Sequence, residues 1–115
     1  MPSLKTTFRE IGSVTILDLS GPIGLGESSA RFGRAIRELS NNDRTRIILN
    51  LHEVSAIDSA GIGELVRAYI LVKTRTGEMK LLNPTKKVYD LLDITRLLRV
   101  LDVFTDEASA LRSFG

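Results

Sequence analysis

Ile47-Ile48-Leu49-Asn50-Leu51-His52-Glu53-Val54-Ser55-Ala56-Ile57-Asp58-Ser59-Ala60-Gly61-Ile62-Gly63 is the stretch whose reading decides the fold. Arg46 to Leu51 is a nearly continuous apolar run, which predicts a central strand covered on both faces. From Ser59 onward, Ile62, Leu65, Val66, Tyr69 and Ile70 fall at i, i+3, i+4, i+7 and i+8, one apolar stripe on a helix that ends before Gly77. Val54 to Gly61 bridges the two, and either Asp58 or Ser59 can supply the side-chain oxygen that caps the free amides of the first helical turn.

Upstream, Leu4 to Glu10 and Ser13 to Ser20 are rich in Thr, Val, Ile and Phe, with Ile11-Gly12 as a turn, which predicts an opening hairpin. Gly21-Pro22 leads into a helix from Glu27 to Ser40, its apolar side formed by Phe32, Ala35, Ile36 and Leu39 and its end marked by Asn41-Asn42-Asp43. Downstream, Glu78 to Leu82 reads as a short strand. Asn83-Pro84 reads as the cap and first position of a helix that buries Val88, Leu91 and Leu92. A last short strand is expected near Val100 to Phe104, before a terminal helix capped at Thr105-Asp106-Glu107 and carrying Ala108, Leu111 and Phe114. Helix and strand alternating after a hairpin argue an α/β sheet with parallel crossovers.

At 115 residues the chain has room for one ordinary domain core. It contains no cysteine, which excludes disulfides and thiolate metal sites and suits a reducing compartment. Met1-Pro2-Ser3-Leu4-Lys5 lacks an apolar signal core and no run of apolar residues is long enough to span a bilayer, so a cytoplasmic protein without membrane insertion is expected. Sixteen basic and fourteen acidic side chains are interspersed, and without tryptophan there is no base-stacking platform among them, so nucleic acid is not an expected partner.

Three motifs invite enzymatic readings and fail on chemistry. Gly21 to Ser28 almost spells a phosphate-binding loop, but Glu27 stands where the loop needs a lysine for the β and γ phosphates. A hydrolase elbow around Ser59 would require glycine at the position occupied by Ile57. His52, the single histidine, has no second imidazole or thiolate to form a metal site and reads as a surface loop residue. No enzyme, no metal and no cofactor are therefore expected.

Ile47 to Gly63 closely resembles the signature of the STAS family, the sulfate transporter and anti-sigma factor antagonist domains. Further landmarks are Val14-Thr15-Ile16-Leu17-Asp18-Leu19-Ser20-Gly21, Met79-Lys80-Leu81-Leu82-Asn83 and Leu91-Leu92-Asp93-Ile94-Thr95, in the family's order over nearly the whole chain. The resemblance implies a single α/β domain over residues 1–115, with a mixed four- to five-stranded sheet opening on a β-hairpin and about four helices packed mainly on one face.

In stand-alone members, the serine matching Ser59 is phosphorylated by an anti-sigma factor that is also a Ser/Thr kinase; the unphosphorylated antagonist binds that kinase and frees the sigma factor, and a Ser/Thr phosphatase restores the serine. The resemblance thus marks Ser59 as phosphoacceptor and Asp58, Ala60, Gly61, Ile62, Gly24 and Glu27 as partner-binding residues, on a monomer or weak homodimer. Three positions depart from the pattern. Gly24 stands where many members carry an acid before the first helix, with Glu27 close enough to substitute; Asn50 replaces an aspartate and Arg96 a glycine. The alternative reading is a non-switching STAS scaffold, in a signalling assembly or as the soluble subunit of a membrane transporter.

Overall fold

The computed structural model describes residues 3–24 and 26–114; Met1, Pro2, Leu25 and Gly115 lie outside it, and with them the start of the Met1 to Lys5 segment and the middle of the Gly21 to Ser28 turn. Strands β1 (Lys5–Ile11), β2 (Val14–Ile23), β3 (Arg46–Ile57), β4 (Glu78–Leu82) and β5 (Val103–Phe104) form one sheet in chain order. The β1/β2 hairpin is antiparallel and every later pairing is parallel. The crossovers are α1 (Glu27–Asn41), α2 (Ser59–Thr74) and α3 (Lys86–Ile94), and α4 (Glu107–Arg112) follows β5.

The hairpin turns at Gly12-Ser13, one residue later than the sequence suggests. Ile11 pairs with Val14, leaving a two-residue loop whose first position has φ of 60°, a conformation glycine adopts without strain.

β3 is the central strand, and its side chains alternate between two apolar layers. Ile47, Leu49 and Leu51 join the main core with Phe32 and Ile36 of α1, Leu65 and Val72 of α2, and Val88 and Leu92 of α3. Ile48 points the other way, into a smaller core with Val14, Ile16, Leu82 and the α4 side residues Ala110 and Phe114. Three helices therefore cover one face and one short helix part of the other.

β3 runs six residues past Leu51. Between Asp18↔Asn50 and Ile23↔Ile57, β2 advances five residues and β3 seven, so β3 absorbs two bulges. The bulges break the two-residue alternation by which strands are read from sequence, which is why the apolar run understates this strand.

In α2 the buried stripe is Gly61, Leu65, Ala68 and Val72, while Ile70 stands 54% exposed. Of the expected stripe, Leu65 is in the core and Ile62 and Tyr69 pack partly against it, but the buried centre is rotated toward Gly61 and Ala68, because glycine and alanine mark the side that approaches the sheet most closely. α3 begins two residues later than Asn83-Pro84 implies. The Asn83 amide still donates to the Phe104 carbonyl (2.7 Å), and Thr85 is the cap, its Oγ1 accepting from the Val88 amide. In the terminal helix, Ala110 and not Ala108 faces the core. β5 is shorter than expected because the amides of Val100 and Leu101 donate back to the Leu97 carbonyl (3.1 and 2.9 Å), closing the 3₁₀ turn at Leu97–Arg99 and leaving only Val103–Phe104 as strand.

Two cations hold the end of α4. Lys80, only 8% exposed, donates from Nζ to the Ser113 carbonyl (3.1 Å) and lies 4.7 Å from the Phe114 ring centroid. Arg46 donates to the Phe114 carbonyl and stacks on the same ring. Both meet the electronegative carbonyl end of the helix.

Beyond the part that α4 covers, the same sheet face carries a polar chain. Arg9 makes a bidentate contact with Asp18 (2.6 and 3.0 Å) and also bonds Glu107 (2.9 Å), and Asn50 donates to Asp18 Oδ1 (2.7 Å). The hydrogen bonds from Arg9 hold the Asp18 carboxyl below its usual range, with Asn50 adding to the effect and partial burial opposing it. The folded-state value is lower than the unfolded one, so the stabilisation is fully present above about pH 4 and is lost as pH falls through the folded value. Asp18→Asn should therefore lose less stability than the parent between about pH 6 and pH 3, measured by urea unfolding; an unchanged acid loss would remove Asp18 from the account.

Candidate functional site at the carboxyl edge of the sheet

The sequence places two strand-to-helix turns side by side. Ile23 and Ile57 are paired neighbours at the ends of β2 and β3, so the turns into α1 and α2 leave the carboxyl edge of the sheet together, the edge at which α/β sheets commonly place their sites.

Asp58 is the cap of α2. Its backbone is extended, its Oδ1 accepts from the Gly61 amide (3.0 Å), and its own amide donates to the Ile23 carbonyl (3.3 Å). This resolves the choice between two capping side chains. Ser59 is the first helical residue, it is exposed, and the capping acceptor is the Asp58 carboxylate and not its hydroxyl.

Gly61 makes this packing possible. A Cβ there would lie 2.1 Å from the Ile23 carbonyl oxygen, so the first turn of α2 sits directly on the end of β2. Gly63 differs, because a Cβ there would meet only the Arg67 guanidinium, at 3.5 Å or more. Gly24 lies against the cap, where a Cβ would be 2.8 Å from Asp58 Oδ2. A side chain at Gly24 would press on the carboxylate that starts the helix.

Five of the seven residues singled out from sequence thus come together: Gly24, Asp58, Ser59, Ala60 and Gly61. Glu27 does not join them, since its carboxylate turns along α1 to pair with Arg31 (2.7 Å). Ile62 is partly buried and packs on the main core, leaving only part of it for a partner. Gly21 and Pro22 belong to β2 itself and not to a phosphate-binding loop, and residues 24–26 join that strand to α1.

Asn50 was legible only as a departure from a pattern. Its amide donates to Asp18 and its Oδ1 accepts from the His52 amide (3.2 Å). An aspartate in its place would set two carboxylates against each other, so the amide fits its surroundings. His52 lies on β3 and not in a loop; it is exposed, with Nδ1 3.1 Å from Asn83 Nδ2. Among the described residues no group of three His, Cys, Asp or Glu side chains could hold a metal.

The STAS domain model matches residues 5–110. The chain belongs to the STAS family. STAS domains are regulatory and scaffold modules without catalytic activity. An anti-sigma F factor antagonist from Paenibacillus polymyxa is 26% identical over 98 residues, 85% of this chain and 84% of that protein. The crystal structure of a candidate anti-sigma factor antagonist from Thermotoga maritima superposes with a TM-score of 0.88 at 24% identity, over 94% of this chain and 92% of that one. The phosphorylated form of the Bacillus cell fate determinant SpoIIAA superposes at 0.74 with 18% identity, over 96% of this chain and 100% of that one. The two structures share the fold. No helix among the described residues is long and apolar enough to cross a membrane.

The two glycines of the STAS signature should respond in opposite directions. Gly61→Ala should cost about 1–3 kcal/mol by overpacking, whereas Gly63→Ala should stabilise by about 0.5–1 kcal/mol. Asp58→Ala should cost about 1 kcal/mol through loss of the cap, and Ser59→Ala should change stability by less than about 0.5 kcal/mol. Chemical denaturation of the four variants checks this; a Ser59→Ala loss equal to that of Asp58→Ala would make the serine a structural cap.

Proposed function

We propose that the protein is an anti-sigma factor antagonist whose affinity for an anti-sigma factor with Ser/Thr kinase activity is set by phosphorylation of Ser59. The observation that carries this reading is the division of labour at the start of α2: Asp58 caps the helix, and Ser59, one residue on, presents an exposed hydroxyl that the cap does not use. Family membership and the anti-sigma F factor antagonist relative support it, as does the fold shared with a protein whose structure is known in a phosphorylated form.

In the forward step, Ser59 Oγ attacks the γ-phosphorus of ATP held by the kinase. The new P–O bond forms as the bond to ADP breaks, and the hydroxyl proton passes to a base on the kinase. A Ser/Thr phosphatase reverses the modification by hydrolysis, returning the hydroxyl and inorganic phosphate.

The phosphate adds about 1.5 to 2 negative charges. At the first position of α2 it meets the positive end of the helix, contributing about 0.3–1 kcal/mol of stabilisation, against repulsion from the adjacent Asp58 carboxylate. Fold energetics therefore change little. An interface that encloses the small hydroxyl would instead have to bury a dianion, at a cost of several kcal/mol unless basic groups answer it. Each 1.4 kcal/mol is about tenfold in affinity, so the modification suffices to release the partner and leave the sigma factor captured again.

Incubation with the cognate kinase and ATP should add a single phosphate by intact mass, and Ser59→Ala should abolish it. A phosphate that persists in Ser59→Ala would contradict the assignment.

A further inference from the structure

A second surface lies on the outer side of the helical layer, away from Ser59. Between α1 and α2 an open trough of about 370 Å³ has Ile36, Ala68 and Leu71 along its floor. Ile70, 54% exposed, lines it as well and carries the apolar surface out toward solvent. The trough stays open because Gly33 contributes no side chain; the Glu64 carboxylate leans over that glycine and pairs with Arg67 (2.7 Å).

The rim is cationic. Arg37 and Arg67 both border the trough against the single carboxylate of Glu64. Arg34 lies one turn before Arg37 on α1, and among the described residues neither Arg34 nor Arg37 takes part in an ion pair. Arg67 is paired but its side chain is 66% exposed. An apolar floor whose rim sets two arginines against one carboxylate, with Arg37 outside any ion pair among the described residues, is complementary to a ligand that is apolar on one side and acidic on its flanks.

We infer that this trough is a docking site for an acidic amphipathic helix of a protein partner, which would lay apolar residues at i, i+3 or i+4 and i+7 along the floor and place carboxylates against Arg37 and Arg67. A trough between two helices, open along its length, suits a third helix packed across them. Ala68 and Leu71 lie nine and twelve residues after Ser59 on α2, a rise of about 14–18 Å. That exceeds the screening length of about 8 Å at physiological salt, so occupancy is independent of the charge state of Ser59. The inference does not rest on the phosphorylation reading.

The probe is a synthetic helical peptide of about 16 residues, long enough to hold a helix, with leucines at the stated spacing and glutamates on both flanks. Titrated into isotope-labelled protein, it should shift the amides of Ile36, Ala68 and Leu71. Arg37→Glu, at an exposed position, should weaken it about tenfold; a peptide with lysine in place of glutamate should bind Arg37→Glu better than the parent, and Ser59→Glu should leave the acidic peptide's affinity unchanged. Absence of those shifts at millimolar peptide, or equal binding of the lysine peptide to the parent, would overturn the inference. So would groove shifts produced by decanoate but not by the peptide, which would make this a small-amphiphile site, or by raising protein concentration alone, which would make it a contact between copies.

Discussion

The arrangement depends on one close approach, that of the first turn of α2 to the end of β2. Ile23 accepts the Asp58 amide through the same carbonyl that would clash with any side chain at Gly61. The pairing of Ile23 with Ile57 brings the strand ends to the same level, and the two bulges in β3 let that strand reach it. Local geometry, sheet register and the orientation of α2 are thus fixed together. Ser59 stands exposed at the edge because its neighbours are locked beneath it.

The two faces of the sheet are built by different means. Three helices bury one face with aliphatic residues, so its packing follows from apolar periodicity. The other face is covered only where α4 lies, and there Lys80 and Arg46 tie the helix end to the sheet through carbonyl and ring contacts. Past the apolar side of α4 the polar chain of Arg9, Asp18 and Asn50 takes over, linking β1, β2 and β3 and, through Glu107, the start of α4. Such a scaffold can hold its shape while its carboxyl edge and outer helical surface are left for partners.

The order of elements and the central strand could be read directly, because Ile47 to Leu51 and the helix after Ser59 have unambiguous periods. What escaped depended on contacts distant in sequence. The length of β3 was hidden by bulges, and the buried side of α2 by the small residues Gly61 and Ala68. Lys80 looks like a surface charge until Phe104 and Phe114 are brought around it. At the site, proximity of Gly24 to the Asp58–Gly61 turn was legible through family resemblance, but which of Asp58 and Ser59 caps the helix required the geometry. Glu27, adjacent in sequence, is drawn away by Arg31 four residues on, a pair that the helical spacing itself anticipates.

The central claim is that a charge at Ser59 alters the surface a partner reads and leaves the fold intact. Calorimetric titration of the cognate anti-sigma factor with unmodified and stoichiometrically phosphorylated protein, alongside the urea midpoint of each, tests it most directly. The account predicts an affinity loss of about a hundredfold or more with midpoints that nearly coincide; equal affinities, or a loss of binding matched by a collapse in stability, would contradict it.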